Sequence, residues 1–234
     1  YKRQVISSAI KNNNIELNAA KKKNLPIYKR GDMLAHMTSL KKNIVIAGSH
    51  GKTTTTSLVG NILESGKLDP TIVNGGIINS LSKNNKFGKG KWMVVEADES
   101  DGSFIKLPST NIIVTNIDAE HLDYYGSFRA LKEAFKQYIN NIPFYGMAIV
   151  CLDNPTIQSI LSEIEDKRII TYVISHQADY RAKNIKSEDG RTFFTLEISP
   201  KIYSPTKSIK GLISNIPGIH NVQNVLAVCA MAIE

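Results

Sequence analysis

Apolar and polar positions follow two periods along most of the chain. Short apolar runs recur at 43–47, 70–74, 91–96, 111–117, 147–152 and 168–174, each of a length suited to a buried strand. Between them apolar residues fall at helical spacing, predicting helices over 52–66, 127–141 and 155–165. In the middle one, Phe128, Leu131, Phe135, Tyr138, Ile139 and Ile142 share a face, and a core-facing stripe is enough to explain those aromatics. Strand alternating with helix predicts an α/β fold with a mainly parallel sheet flanked by helices. The segment 180–213 breaks that rhythm. Asp189-Gly190 separates Lys183-Asn184-Ile185 from the run Phe193 to Ile198, a hairpin signal, so a small antiparallel β appendage is expected there. A last helix follows Ile216-Pro217-Gly218, with Val222, Val225, Leu226 and Cys229 as its buried stripe. Residues 1–42 read as the end of one α/β unit and a connector.

Composition changes this picture little. The 234 residues are 42% hydrophobic, and no run of 18 apolar residues or signal peptide occurs, which argues against membrane insertion and secretion. The net charge of +8 is local: residues 1–42 hold 10 Lys/Arg against 2 Asp/Glu, and the remainder is balanced. Lys21-Lys22-Lys23 has no interleaved aromatics, so solvated lysines are expected rather than a nucleic-acid arm. Cys151 and Cys229 lie far apart in apolar surroundings and read as buried free thiols. A start at Tyr1 and an end at Glu234 on an apolar helix pattern read as a piece of a longer protein.

Chemistry concentrates where three predicted strands end. After Asn43-Ile44-Val45-Ile46 comes Ala47-Gly48-Ser49-His50-Gly51-Lys52-Thr53-Thr54-Thr55-Thr56. A strand that turns through two glycines into a helix aims backbone N–H groups and a helix N-terminus at one spot, which suits a polyphosphate. Lys52 adds a mobile positive charge and Thr53 a hydroxyl for magnesium. The common phosphate loop has a glycine where this chain has Ile46, so the form here is the shorter G-x-x-G-K-T. Thr54 to Thr56 have surface or packing roles as their default. The second strand ends in Glu96-Ala97-Asp98-Glu99-Ser100-Asp101, at the rim where ligands bind open parallel sheets. Glu96, at the strand end, is the preferred magnesium ligand, with Asp98, Glu99 and Asp101 less favoured. The third strand ends in Asp118, His121 and Asp123, candidates for a metal or for positioning a nucleophile. His36 and His176 have no such context.

Together these segments resemble the Mur ligases of peptidoglycan synthesis. The likeness rests on Gly48 to Thr56, Val73-Asn74-Gly75-Gly76, Glu96 to Asp101, Thr115 to Asp123, Pro143-Phe144-Tyr145-Gly146 and Pro217 to Asn224, in that order, and it accounts for the shortened loop. The resemblance implies a bacterial cytoplasmic enzyme that uses ATP and magnesium to phosphorylate the carboxylate of UDP-N-acetylmuramate. The amine of L-alanine would then attack the acyl phosphate. It implies residues 1–30 as the tail of a UDP-substrate domain plus connector, Ser7-Ser8-Ala9-Ile10 included. Residues 31–234 would be the central ATP-binding domain, and a C-terminal domain is missing. By similarity, Lys52 contacts the β and γ phosphates, and Gly48, Ser49, His50, Gly51, Thr53 and Thr54 complete the loop. Thr53 and Glu96 hold a first magnesium and His121 helps hold a second. His220, Asn221 and Asn224 open the last helix, the asparagines reading adenine; helix capping is the plain reading for Asn221, and the two roles are compatible. Related ligases carry a carbamylated lysine in the helix that here holds Lys132 and Lys136, and neither is assigned. The rivals are a ligase that recycles murein peptides, a phosphate-loop phosphotransferase or GTPase, and a non-catalytic nucleotide-binding piece. Thr115 to Asp118 and Pro143 to Gly146 favour the alanine-adding reading over the first.

Overall fold

The computed structural model describes residues 3–7, 9–78 and 83–234, so Tyr1 and Ser8 lie outside the described residues. A small parallel pair, β1 (Gln4–Ile6) and β2 (Ile27–Lys29), is bridged by α1 (Ile15–Lys22), and α2 (Arg30–Thr38) leads into the main sheet. Strand β3 (Lys42–Ala47) then passes through the glycine turn into α3 (Lys52–Ser65). Next come β4 (Thr71–Ile78), β5 (Lys83–Lys86), β6 (Trp92–Glu96), a 3₁₀ turn (Ser103–Lys106) and β7 (Asn111–Val114). The short α4 (Leu122–Tyr125), α5 (Phe128–Asn140), β8 (Met147–Cys151), α6 (Pro155–Leu161) and β9 (Ile169–Val173) follow. The chain closes with β10 (Tyr180–Glu188), β11 (Arg191–Ile198), β12 (Lys207–Ser214) and α7 (Ile219–Ile233).

All strands from β3 onward form one 10-stranded sheet in the order β12-β11-β10-β9-β8-β7-β3-β6-β4-β5. From β10 to β4 every neighbouring pair is parallel. The expected α/β class is therefore observed, as are the expected strands and helices to within a few residues. The antiparallel segment is present as expected and continues the main sheet: β10 pairs with β9 in parallel, so β10, β11 and β12 extend it. Two element ends differ from expectation. The third strand stops at Val114, because Thr115 and Asn116 turn to bond the glycine loop. The predicted helix over 155–165 stops at Leu161.

The core lies where the parallel strands are covered on both faces. Val45, Ile46, Ile112, Ile113 and Ile149 have no solvent exposure, which fits the near-continuous apolar runs expected of buried parallel strands. Helix α5 packs the stripe seen in its sequence: Leu131, Phe135, Tyr138 and Ile139 are buried, while Phe128 is only partly so. Phe104, from the 3₁₀ turn, stacks on Phe135 and Tyr138 with ring centroids 5.0 Å apart. Beneath the strand starts, the buried Asn43 amide accepts from Thr110 N–H at 2.7 Å and donates to the carbonyls of Thr38 and Lys41.

Candidate nucleotide and metal site

The order β7-β3-β6 makes the end of β3 a switch point. The chain leaves β3 towards β4 on one side and later returns to place β7 on the other. In open α/β sheets that is where ligands bind. The glycine loop after β3 sits there, flanked by the ends of β6 and β7. Gly48 has φ +134 and lies so close to Thr115 that a Cβ would come 2.2 Å from its hydroxyl. Gly51, at φ +81, is the N-cap of α3, and no side chain caps that helix. By contrast, Asn14, Ser127 and Asn154 cap α1, α5 and α6. The start of α3 is thus left with donors for an anion. A cavity of about 260 Å³ opens on it, lined by Ser49, His50, Gly51, Lys52, Thr53 and Thr54 with Glu96.

Side chains from the neighbouring strand ends reach this loop. Lys52 Nζ donates to the carbonyls of Gly48 and Ser49 at 2.6 and 3.1 Å, and to Glu99 Oε1 at 2.7 Å. Thr53 donates its hydroxyl to Glu96 Oε1 at 2.9 Å, and Gly75 N–H donates to Glu96 Oε2 at 2.6 Å. Asn74, beside that glycine, donates to Ser57 and to the carbonyl of Thr53, which ties β4 to the first turns of α3. His121 brings Nε2 to 3.7 Å from Glu99 Oε1, and Glu99, Glu120 and His121 each offer a ligand atom within 4.8 Å of the others. Glu99 is 3% exposed, and its Oε2 is buried without a hydrogen-bond partner. A buried carboxylate oxygen with no donor is costly unless a cation or proton meets it. With Thr53, Glu96 and Glu120, the donors are mostly hard oxygens, a set that suits magnesium.

The other sequence candidates divide. His50 is exposed, with Nε2 at 3.6 Å from Asp118 and 3.5 Å from Glu120. Thr54 lines the cavity, while Thr55 and Thr56 are fully buried packing residues. Asp98 turns away to Ser100 and Arg30. Burial raises its carboxyl pKa, but those contacts outweigh it and hold the group below the usual range. Asp101 receives Ser103 N–H, and Asp123 lies exposed on α4. At α7 the capping expectation for Asn221 fails: Gly218 occupies the N-cap and the Asn221 amide donates back to Pro217 O at 2.7 Å. Asn221 and Asn224 are both buried, and Asn224 lies under the loop, where a Cβ on Gly51 would meet its Oδ1 at 2.7 Å. His220 is exposed next to Asn221, with Nε2 3.0 Å from the amide. Lys136 is paired with Glu133 and Glu163, and Lys132 lies over the Phe128 ring, so neither amine takes part in the contacts at the glycine loop.

Two features were undervalued in the sequence. Glu99 ranks with Glu96 at the site, although it lies three residues beyond the strand end. Asn116 had no assigned role, yet its side chain accepts His50 N–H at 2.7 Å and donates to His50 O at 3.0 Å, holding the two peptide groups that flank one loop residue.

Fold and site together define a doubly wound phosphate-loop domain with an acidic and histidine-bearing rim. Residues 46–232 match the profile of the Mur ligase middle domain, and the chain belongs to that family. A UDP-N-acetylmuramate–L-alanine ligase of Rhizobium johnstonii is 50% identical over 97% of this chain and 48% of its own length. The chain therefore spans about half the length of such relatives. The crystal structure of a UDP-N-acetylmuramate–alanine ligase from Thermotoga maritima superposes with a TM-score of 0.82 at 25% identity, over 97% of this chain and 50% of that one. A UDP-N-acetylmuramate:L-alanyl-γ-D-glutamyl-meso-diaminopimelate ligase from Neisseria meningitides gives 0.80 at 22%, over 97% and 72%, and shares the fold. No helix among the described residues is long and apolar enough to cross a membrane.

Proposed function

We propose that this chain is the ATP-binding centre of a ligase that joins L-alanine to UDP-N-acetylmuramate, an enzyme of the bacterial cytoplasm. One observation carries the reading: the ends of β3, β6 and β7 bring Lys52, Thr53, Glu96, Glu99 and His121 to one spot at the switch point. The relative with 50% identity over 97% of this chain bears the name of that activity. In this reading residues 1–30 are the tail of a UDP-substrate domain and its connector, and residues 31–234 are the central domain.

The backbone N–H groups at the start of α3 hold the nucleotide's phosphates. Lys52 exchanges its bonds to the loop carbonyls and Glu99 for the β and γ phosphate oxygens. Thr53 and Glu96 would hold one magnesium ion, and Glu99, Glu120 and His121 a second. Bound there, magnesium would supply positive charge to the transferring phosphoryl group. The protein's own part is alignment: it fixes the phosphate so that the substrate carboxylate can attack in line. His220, Asn221 and Asn224 are assigned to the adenine side, since α7 begins against the loop through Asn224 and Gly51.

Calorimetric titration with magnesium–ADP tests the nucleotide site. Lys52→Ala should weaken binding roughly 10- to 100-fold, the loss expected for a charge-assisted contact, with no change in far-ultraviolet dichroism. Equal affinities would remove the loop from the mechanism.

A further inference from the structure

Glu99 lies on an irregular loop, three residues past the end of β6, yet its carboxylate is nearly inaccessible and shared between Lys52 and His121. Something outside the loop must hold it there. Tyr125 donates its hydroxyl to the Glu99 carbonyl at 2.6 Å. Next to it, Gly102 has φ +67 and lies against Tyr124, where a Cβ would come 2.6 Å from the Tyr124 hydroxyl. Both tyrosines stand on α4, and their N–H groups donate to the carbonyl of His121 at 3.0 and 3.1 Å. His121 itself is the N-cap of α4, in the left-handed region at φ 55. One short helical turn therefore carries the imidazole at its start and, at its end, a strut onto the backbone of the carboxylate that the imidazole faces.

We propose that Tyr125 is a positioning residue that sets the separation of the Glu99 carboxylate and the His121 imidazole, and with it the affinity of a divalent cation for the cluster Glu99–Glu120–His121. The proposal rests on the nucleotide–metal reading above. A purely structural role is distinguishable. Tyr125→Phe keeps the ring and its packing, and the Glu99 carbonyl keeps the N–H of Gly102 at 3.1 Å. The fold should survive while the loop loses its anchor on α4 and keeps those from Lys52 and Arg30.

Manganese titration of this chain in the presence of ADP, followed by electron paramagnetic resonance, provides the test. Wild type should bind two classes of ion. Tyr125→Phe should weaken one class about 10-fold, the scale typical of an outer partner to a metal ligand, and leave the other class unchanged. Metal-free ADP affinity and melting temperature should match wild type, and Tyr124→Phe should behave as wild type throughout. Glu99→Gln should abolish the class that Tyr125→Phe weakens. The proposal is overturned if Tyr125→Phe binds both classes normally, or if the class it weakens survives Glu99→Gln. It is equally overturned if melting temperature and metal-free ADP affinity fall together with ion binding. A wild-type chain that binds no manganese with ADP would overturn the nucleotide reading and this inference with it. A two-ion wild type with an indifferent Tyr125→Phe overturns this inference alone.

Discussion

At the scale of single residues, the site is shaped as much by groups that hold the loop as by groups that face the ligand. Asn116 shows this. Its amide spans the N–H and C=O of His50, so the peptide leading into Gly51 is fixed before any phosphate arrives. Each such bond is worth about 0.5–1.5 kcal/mol net. Asn116→Ala should therefore weaken magnesium–ADP binding roughly 10-fold in calorimetry, and the melting temperature should fall by only a few degrees. An unchanged affinity would mean that the loop is ordered without the clamp. The convergence of Lys52, Thr53 and Glu96 at the rim was legible in the sequence because a glycine turn between strand and helix has a fixed geometry, and a strand end has a fixed place at the rim. Glu99 was read only as one of the less favoured carboxylates, and Asn116 had no role. Whether a residue three places past a strand curls back towards Lys52 depends on an irregular loop braced from α4. Whether an asparagine faces its own strand or a neighbouring loop depends on tertiary contacts. Composition and spacing carry neither.

At the scale of elements, periodicity marked those whose burial is one-sided or complete. Helices α3 and α5 start and stop within one residue of expectation. What it missed are elements defined by pairing or by docking. The edge strand β5 reads Lys-Asn-Asn-Lys and owes its place to backbone pairing with β4, not to any apolar pattern. Helix α2 was not foreseen, and Gly31 in its first turn packs on Ser103, where a Cβ would come within 2.9 Å. The thiols divide: Cys151 is buried as its pattern predicts, whereas Cys229 is only partly buried. Cys151 in β8 and Cys229 in α7 are free, and burial pushes both up to about 11. A raised folded pKa gives stability that is fully present below the unfolded value, about 8.5, and lost as pH rises towards 11. Neither thiol should react with a disulfide reagent at pH 7.5 until the protein is unfolded in urea. The urea midpoint should fall between about pH 8.5 and 11, and Cys151→Ser should not remove the whole of that fall. Rapid labelling of the native protein would show that one of these elements opens readily.

At the scale of the whole molecule, a continuous sheet with one polar rim leads to a prediction about what the proposed nucleotide domain does by itself. The phosphate loop, Glu96 and the Glu99–Glu120–His121 cluster come from three neighbouring strand ends of one sheet, so in the proposed reading one rim offers all the groups assigned to phosphate and metal. Ligation asks for more. The carboxylate, the γ phosphate and the amine must be aligned at once, and misplacement by about 1 Å can cost roughly 100-fold in rate. Relatives at 50% identity are about twice as long as this chain, which covers 48% of their length. If the remaining half of such a ligase supplies the surfaces that fix the two acceptor substrates, then this chain alone should bind ATP weakly and form no detectable UDP-N-acetylmuramoyl-L-alanine. A chain of the relatives' full length should form it. Mixing each protein with UDP-N-acetylmuramate, L-alanine, ATP and magnesium, with product followed by mass spectrometry, separates the cases. Robust turnover by the 234-residue chain would mean that this one sheet aligns all three reactants by itself. The division of labour between phosphate binding here and substrate positioning elsewhere would then be wrong.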